Sequence, residues 1–279
     1  MLEWATAYFS EKGIPSPRLS IEWLLSHVLD IKRLDLYLKF DRPLSPDELD
    51  RLKPMILRRA KMEPLQYITG STDFYNLTLH VNRDVLIPRP ETEQLVELIL
   101  QNHSADEPLD FLDIGTGSGC IALAVKKERP EWNVTAMDNC EKALKVAGEN
   151  ARINGLEITF LHEDFETWRC EKPMDIIASN PPYIEKHEES GLSEQVIAYE
   201  PRNALITDSV SEVYRQLYQL CTHCLNPDGA FYFEINETAG HKLLKICNMP
   251  PLQSRLVRDY ENRDRFILGG FEQNRPKPL

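Results

Sequence analysis

Apolar side chains recur at helical spacing through the first 70 residues, where strand-like alternation is scarce. This period predicts a small helical bundle over residues 1–72. Ser16 followed by proline is typical of a helix N-cap, and Ser45 with Glu48 has the capping-box spacing. The bundle shows no cluster of reactive side chains. We therefore interpret it either as a stabilising cap on the main domain or as a module that docks a partner.

The pattern changes after residue 73. Residues 74–81 alternate and are rich in strand-forming side chains, residues 82–84 have turn chemistry, and residues 85–87 are apolar again. This order predicts two strands joined by a turn. We expect residues 73–88 to form a β-hairpin that links two domains.

From residue 89 to residue 279, short apolar strands alternate with amphipathic helices. The predicted strands lie at 110–114, 133–138, 158–162, 175–179 and 230–235, followed by two closing strands at 255–259 and 265–271. Such alternation predicts an α/β domain with a doubly wound, mostly parallel sheet and helices on both faces. The two closing strands can pair as an antiparallel hairpin. That ending favours the Rossmann-like fold of class I methyltransferases over the fold of dehydrogenases.

Charge and hydropathy limit the function. The 279 residues include 44 acidic and 32 basic side chains, which gives a net charge of −12. An acidic surface repels phosphate backbones, so we expect no direct binding of nucleic acid. No stretch approaches the ~20 apolar residues of a membrane span, and the N-terminus lacks the pattern of a signal peptide. We expect a cytoplasmic monomer that does not contact membranes.

The six cysteines are scattered along a chain that is too large to need a disulfide framework. We expect them to be reduced thiols. Cys221 and Cys224 have the C-x-x-C spacing, but a structural zinc site needs a second pair of ligands, and a redox pair usually opens a helix rather than closing it. We predict that these two cysteines pack inside a helix, and we predict no metal site.

A glycine-rich loop follows the first strand of the α/β domain, with the spacing G-x-G-x-G. The predicted cofactor-binding residues in this stretch are Asp113, Gly115, Thr116, Gly117, Ser118 and Gly119. Glycines let a ligand approach the backbone closely. The acidic side chain before the loop suits an ammonium group, such as the amino group of a methionyl moiety, better than a phosphate.

Acidic residues also follow the next two strands. Asp138 ends the second strand, where a carboxylate can bind both hydroxyls of a ribose. Asp164 and Phe165 follow the third strand, where an acid and an aromatic ring can bracket an adenine. Together with the glycine loop, these residues predict S-adenosylmethionine as the cofactor.

Asn180-Pro181-Pro182-Tyr183 ends the strand at 175–179. Proline has no N–H to continue a sheet, and it keeps the preceding residue out of the helical region, so the chain must leave the strand as a stiff, extended lip. The lip offers the Asn180 amide, the Pro181 carbonyl and the Tyr183 ring. These groups can grip a planar group that carries an NH2, although such a segment is also common as a simple strand exit.

These motifs resemble the protein-(glutamine-N5) methyltransferases that modify class 1 peptide chain release factors, the PrmC/HemK family. The resemblance covers nearly the whole chain. Besides the glycine loop and Asn180–Tyr183, it rests on residues 66–70, 74–75, 86–93 and 199–205. The 86–93 segment is closer to the release-factor enzymes than to the sister enzymes that act on a ribosomal protein. One departure is Asn236, where the family usually has glycine.

The resemblance implies a helical N-terminal bundle, a hairpin linker and a methyltransferase domain. It assigns cofactor contacts to the glycine loop, Asp138 and Asn180, with Phe165 stacking on adenine. It assigns the substrate glutamine to Asn180, Pro181, Pro182 and Tyr183, with class 1 release factors as the protein partner. The substrate residue implied is the glutamine of the Gly-Gly-Gln motif.

From the chemistry of an amide, we hypothesise that the Asn180 side-chain oxygen and the Pro181 carbonyl accept the two N–H bonds of the substrate. Tyr183 would pack on the amide plane, and no strong general base is needed. Three alternatives remain open from the residues: glutamine methylation of a ribosomal protein, N6-methylation of adenine in DNA or RNA, and a non-catalytic cofactor-binding protein. A nucleobase would have to be flipped into the site.

Overall fold

A computed structural model describes residues 1–39, 41–105 and 107–271, except for the side chain of residue 39. Contacts divide the chain into two compact units. The first unit holds Met1–Ser71 and Leu192–Tyr199. The second unit holds Thr72–Gly191 and Glu200–Leu279, of which residues 272–279 of the predicted α/β domain lie outside the described residues.

The elements are numbered in chain order. The α-helices are α1 Leu2–Glu11, α2 Pro17–Leu29, α3 Pro46–Arg59, α4 Leu65–Thr69, α5 Pro90–Asn102, α6 Cys120–Glu128, α7 Glu141–Asn154, α8 Glu194–Tyr199, α9 Arg202–Leu205, α10 Val210–Cys224 and α11 Gly240–Cys247. Two 3-10 helices lie at Arg33–Lys39 and Lys186–Gly191. The strands are β1 Ser71–Phe74, β2 Leu77–His80, β3 Asp110–Ile114, β4 Asn133–Asp138, β5 Thr159–His162, β6 Met174–Ser179, β7 Ile184–Glu185, β8 Ile206–Thr207, β9 Leu225–Glu234, β10 Leu252–Arg258 and β11 Asp264–Phe271.

The first unit is the predicted helical bundle, packed around buried aliphatic and aromatic side chains of α1, α2 and α3. The capping box at the start of α3 is confirmed: Ser45 Oγ accepts from the Glu48 N–H, and the Glu48 carboxylate accepts from the Ser45 N–H. The side-chain cap predicted at Ser16 is wrong. Ser16 has a φ of 48°, a left-handed conformation, and its side chain makes no capping hydrogen bond within the described chain.

The segment 184–207, which follows the Asn180–Tyr183 lip, contains short strands and helices. Its helix α8 belongs to the first unit, where Arg59 Nη1 donates to Gln195 Oε1 at 2.8 Å and the Tyr199 hydroxyl donates to the Lys61 carbonyl at 2.7 Å. A side chain that bonds to a residue 136 positions away leaves no periodic signal in the sequence.

The observed hairpin is not the predicted one, because residues 74–81, predicted as a single strand, contain its turn. Strands β1 and β2 are joined by Tyr75 and Asn76, whose φ values of 42° and 62° are those of a two-residue hairpin turn. The second strand predicted at 85–87 is wrong. Val85 and Ile87 are buried by packing in an extended segment, and an apolar pattern of three residues does not separate these two cases.

The second unit is built on a seven-stranded sheet with the order β10-β11-β9-β6-β3-β4-β5. The five strands from β9 to β5 are parallel, and β10 and β11 form the predicted antiparallel hairpin at one edge. Alternate residues of β3 face opposite layers: Phe111 packs with α5 and α6, and Leu112 packs with α10 and α11. This arrangement confirms the predicted α/β fold class.

The cysteine prediction is wrong for one pair. Cys170 and Cys224 form a disulfide with Cα atoms 5.8 Å apart, although they lie 54 residues apart in the chain. Cys221 is buried in α10 as predicted. The C-x-x-C pattern therefore does not act as a unit, because Cys224 is bonded to Cys170 and Cys221 is a free, buried thiol. Within the part of the chain that the structure describes, no helix is long and apolar enough to cross a membrane.

Candidate active site at the carboxyl edge of the sheet

The strand order brings the predicted motifs together at one edge of the sheet. Ile114 at the end of β3 lies opposite Met137 on β4 and Ser179 on β6, and the Ser179 hydroxyl donates to the Ile114 carbonyl at 2.8 Å. The chain leaves β3 toward β4 and returns on the other side at β6. Ligands of open α/β sheets bind at this reversal, outside the carboxyl ends of the strands.

A cavity of about 300 Å³ lies at this reversal. Most of the residues predicted from the sequence line it, namely Gly115, Thr116, Gly117, Ser118, Asp138, Phe165, Asn180, Pro181 and Pro182. Four predicted residues do not line it: Asp113, Gly119, Asp164 and Tyr183. The positions of these four change the roles that the structure supports for them.

Hydrogen bonds to two carboxylates hold the glycine loop in place. The Thr116 hydroxyl donates to Asp113 Oδ2 at 2.6 Å, and the Gly117 N–H donates to Asp138 Oδ2 at 2.9 Å. Gly119, with a φ of 82°, begins α6 so close to α7 that an added Cβ would lie 3.2 Å from the Ala147 Cβ. The loop therefore takes its shape from backbone conformation, close packing and two carboxylates.

Asp113 lies beneath the loop and is fully buried. Its Oδ2 also accepts from the Ala122 N–H at 3.3 Å, whereas its Oδ1 has no hydrogen-bond partner among the described residues. Burial raises the pKa of this carboxyl to about 7. The contacts support a role in holding the loop. Direct contact of Asp113 with the ammonium group of a cofactor stays a prediction.

Asp138 faces the cavity at the end of β4. Its Oδ1 accepts from the Cys140 N–H at 2.9 Å, and burial raises the pKa of its carboxyl. Asp164 instead faces away from the cavity, and its Oδ1 accepts from the Glu166 N–H at 3.0 Å. Phe165 does line the cavity, together with Glu163. A one-residue offset after a strand reverses the direction of a side chain, which the sequence does not resolve.

The Asn180 corner follows β6 as predicted. Asn180 Nδ2 donates to Thr92 Oγ1 at 3.1 Å, and Pro181 is buried against the cavity wall. Tyr183 packs on the core layer of α10 and α11, where burial raises the pKa of its phenol. The ring is therefore neutral at physiological pH. Its predicted stacking on a substrate amide stays a prediction.

The segments 86–93 and 199–205 are part of the family resemblance, but no role was predicted for their side chains. In the structure these segments meet, because Arg89 Nη2 lies 2.6 Å from Glu200 Oε1 and the Ile87 N–H donates to Glu200 Oε2 at 3.4 Å. The Glu200 side chain is 1% exposed and the Arg89 side chain is 31% exposed. This ion pair fixes the cavity wall formed by residues 84–92. Arg89 and Glu200 carry opposite charges, and each lies in a motif whose side chains had no assigned role. This pattern was the signal in the sequence that could have indicated the ion pair.

Asn236, where the resemblance leads us to expect glycine, has a side chain that turns the backbone. Its Oδ1 accepts from the Thr238 N–H at 3.0 Å and from the Thr238 hydroxyl at 2.9 Å. Asparagine commonly forms such a turn with the residue two positions later. The chain therefore passes from β9 toward α11 without a glycine.

Comparisons with known proteins agree with this geometry. Residues 1–70 match the family described as the PrmC N-terminal domain, and residues 91–209 match the methyltransferase small domain. The release factor glutamine methyltransferase of Chlorobaculum tepidum is 37% identical, over 96% of this chain and 95% of its own. That of Flavobacterium psychrophilum is 38% identical over 94% of each chain. The chain belongs to the release factor glutamine methyltransferase family.

Membership of the release factor glutamine methyltransferase family confirms the predicted enzyme class. Among solved structures, a methyltransferase from Pyrococcus furiosus superposes with a TM-score of 0.52 at 19% identity, covering 70% of this chain and 89% of that one. At this level of identity the similarity supports the fold alone. It agrees with the mostly parallel sheet and its antiparallel edge.

Release factor glutamine methyltransferases use S-adenosylmethionine, and the cavity fits this molecule. Gly115 has a φ of 71°, and an added Cβ there would meet no described atom within 4 Å, so a ligand can approach its backbone. Asp138 presents a carboxylate at the position suited to ribose hydroxyls, and Phe165 presents a ring. The glycine loop, Asp138 and Phe165 therefore fit the methionyl, ribose and adenine parts of the cofactor, in that order.

Proposed function

We propose that this enzyme transfers a methyl group from S-adenosylmethionine to the side-chain amide nitrogen of the glutamine in the Gly-Gly-Gln motif of class 1 peptide chain release factors. The single observation that carries the proposal is the position of Asn180 and Pro181, which share one cavity with the glycine loop at the reversal of the sheet. The family relationship supports the same substrate.

A carboxamide nitrogen is a poor nucleophile because its lone pair is delocalised into the carbonyl. Asn180 Oδ1 and the Pro181 carbonyl accept the two N–H bonds of the substrate amide, which orients one face of the nitrogen toward the cofactor side of the cavity. Both acceptors also stabilise the positive charge that develops on this nitrogen. When bound, S-adenosylmethionine supplies an electrophilic methyl carbon on its sulfonium. Holding the nitrogen in line with that carbon accounts for much of the rate.

The residues of the lip complete the site. Pro181 and Pro182 line the cavity with apolar surface and exclude water from the amide. Tyr183 anchors the lip in the core beneath it and packs near the amide plane. The substrate nitrogen loses its proton to solvent after the transfer, so no side chain serves as a strong base. Gly115 to Ser118, Asp138, Phe165 and Asn180 line the proposed cofactor site, and Asp113 and Gly119 hold the loop of that site in place.

Replacement of Asn180 tests the proposal. Asn180→Ala removes the acceptor without adding bulk, so methyl transfer to intact release factor is expected to fall below detection while folding persists. Mass spectrometry after incubation with S-adenosylmethionine should show one added methyl on the Gly-Gly-Gln glutamine for the wild type. Asn133→Ala is the matched control, because the exposed Asn133 amide bonds to Asp110 at the amino ends of β4 and β3, away from the cavity.

Wild-type activity of the Asn180→Ala variant would refute the role of the corner. Methylation of a ribosomal protein or of adenine in DNA or RNA, with release factor left unmodified, would refute the substrate. Turnover by the wild type on any of these substrates would exclude a non-catalytic cofactor-binding protein.

The domain assignment is part of the proposal: residues 1–72 dock the release factor, residues 73–88 link the domains and residues 89–279 transfer the methyl group. The supporting observation is a set of exposed apolar side chains on the Arg33–Lys39 helix, where Leu34 is 71% and Leu38 is 82% exposed. Exposed apolar groups that lie close together mark interaction sites. Leu38→Ser should raise KM for release factor, whereas Ile153→Ser, at an exposed apolar residue of α7, should not. Equal KM values would refute docking at this helix.

We further propose that the enzyme is monomeric, acts in the cytoplasm and contacts neither membranes nor nucleic acid directly. The acidic net charge of −12 supports the last point. Light scattering at micromolar concentration should give the mass of one chain, and a stable dimer would refute the monomer.

A further inference from the structure

The Asn180 carboxamide carries a donor and an acceptor of nearly equal size. Rotation by half a turn exchanges Oδ1 and Nδ2 with little steric change. Only Oδ1 can accept an N–H bond from a substrate amide. The reaction proposed above therefore requires a contact that fixes the orientation of this carboxamide.

The fold places two buried partners beside Asn180. Ser179 on β6 lies opposite Phe233 on β9, so the residues that follow, Asn180 and Glu234, meet at the same edge of the sheet. The first turn of α5 brings Thr92 to the same point. Asn180 Nδ2 donates to Thr92 Oγ1 at 3.1 Å, and Thr92 Oγ1 donates to Glu234 Oε2 at 2.8 Å.

We propose that Thr92 is a positioning residue: held by the Glu234 carboxylate, its hydroxyl orients the Asn180 carboxamide with Oδ1 toward the substrate. This inference rests on the proposed function. A hydroxyl has one hydrogen, and an ionised carboxylate can only accept, so the hydrogen of Thr92 is committed to Glu234. The lone pairs of Thr92 are then left to accept from Asn180 Nδ2.

The opposite orientation of Asn180 would bring Oδ1 against the lone pairs of Thr92 with no proton between them. Water offers no replacement, because Thr92 and Glu234 are each 1% exposed. The backbone of Glu234 is fixed as well, since its carbonyl accepts from the buried Tyr214 hydroxyl. In such a dry network, an acceptor facing an acceptor is strongly disfavoured. Two residues that do not react with substrate thus select the reactive orientation of a third.

The direction of this chain of hydrogen bonds depends on the charge of Glu234. Burial raises the pKa of Glu234 to about 7. The hydrogen bond from Thr92 and the positive charges of Arg265 and Arg89 oppose this rise. The negative charge of Glu91 adds to it. The neutral phenols of Tyr183 and Tyr214 and the thiol of Cys120 also face this region. A protonated Glu234 could donate to Thr92, whose own hydrogen would then point at Asn180 and favour Oδ1 there. Acid should therefore lower the fraction of enzyme with the reactive orientation.

Kinetics on intact release factor provides the first test. Thr92→Val keeps the shape of the side chain and removes the hydroxyl, so kcat should fall on the order of 10- to 100-fold, by analogy with the loss of outer-shell partners that orient metal ligands. KM for S-adenosylmethionine should stay within about twofold, because the cofactor site is formed by other residues. Thr92→Ser restores the hydroxyl and should recover most of kcat. Thr222→Val is the matched control, since the Thr222 hydroxyl bonds to Gln219 and His223 of its own helix, α10.

The pH profile adds a readout that a merely structural role would not change. The wild-type kcat should decline as pH falls through about 7, the pKa of Glu234. Glu234→Gln keeps an acceptor oxygen and cannot ionise, so this decline should disappear. Persistence of the same decline in Glu234→Gln would assign it to another group and overturn the role of the Glu234 charge. A Thr92→Val kcat within about threefold of wild type would overturn the role of Thr92.

A measurement without substrate separates this inference from the proposed function. In proton–nitrogen NMR spectra of the side-chain amides, the Asn180 pair is identified by its absence in Asn180→Ala. Thr92→Val should shift this pair and Thr92→Ser should restore it. No shift would overturn the positioning even in an enzyme that methylates release factor. A shift in an enzyme that leaves release factor unmodified would support the positioning and refute the proposed function.

Discussion

Substitution of Gly119 by alanine tests how the glycine loop is built. Gly119 has a φ of 82° and lies where α6 begins against α7. A Cβ added there would lie 3.1 Å from the Leu123 Cδ1 and 3.2 Å from the Ala147 Cβ. The first contact is with a flexible side chain that can move. The second is with a group fixed on a helix, so α6 and α7 would have to separate by a few tenths of an ångström.

The magnitude combines three effects. A left-handed conformation costs an alanine roughly 1–2 kcal/mol. Overpacking of a buried contact costs about 1–3 kcal/mol more. The lower entropy of the unfolded alanine chain returns about 0.4–1 kcal/mol. We therefore expect Gly119→Ala to lower the free energy of unfolding by about 1–5 kcal/mol.

Gly148 provides a matched control in the same layer. It lies inside α7, its φ is outside the left-handed range, and an added Cβ would meet no described atom within 4 Å. Gly148→Ala should therefore raise the free energy of unfolding by about 0.5–1 kcal/mol, the usual gain in a helix interior. Urea unfolding followed by circular dichroism at neutral pH measures both values. If the two variants changed stability in the same direction, the conformational and packing argument for Gly119 would be refuted.

Two further predictions concern buried charge. Burial raises the pKa of Glu234 to about 7 from its usual 4.5. The neutral carboxyl group therefore contributes fully to the stability of the fold below about pH 4.5, and this contribution is lost as pH rises through 7. Glu234→Gln should therefore gain stability relative to wild type between pH 5 and 8, by up to about 3 kcal/mol in urea unfolding, and a pH-independent difference would contradict this. Arg89→Met removes the cation that pairs with the buried Glu200 and should lower the free energy of unfolding by about 1–3 kcal/mol. This value is below that of a fully buried pair because Arg89 is partly exposed. Lys145→Met breaks an exposed pair with Glu141 and should lower stability by clearly less than Arg89→Met, so equal losses would refute the argument.

The architecture of the site could be predicted because strand ends leave a local signal. Apolar runs at 110–114 and 175–179, each followed by glycine or proline, place a chain exit at the carboxyl end of a strand. Alternation of strands and helices implies a parallel sheet, and a parallel sheet puts those exits on one edge. The convergence of Gly115, Asp138 and Asn180 follows from these steps, and the register of β3 with β4 and β6 realises it.

The orientation of side chains could not be predicted in the same way. Asp113 lies between Ala136 and Ala178 on the neighbouring strands, whose small side chains leave room for a carboxyl group inside the sheet. Which neighbours flank it depends on register, which the sequence leaves open. Thr92 and Glu234 are 142 residues apart, and no local pattern relates them. The disulfide of Cys170 with Cys224 was missed for the same reason.

Two threonine–carboxylate pairs support the lining of the cavity. Thr116 bonds to Asp113 at 2.6 Å and fixes the glycine loop. Thr92 bonds to Glu234 at 2.8 Å and fixes the Asn180 carboxamide. Burial raises the pKa of both carboxyls to about 7, so each charge lowers the stability of the fold. An amide in place of either carboxylate would remove that cost, but an amide both donates and accepts and would leave the threonine hydrogen free to point either way. Only the ionised form of a carboxyl group accepts and never donates, and this form gives the threonine hydroxyl one direction, which explains why ionisable groups occupy these two buried positions.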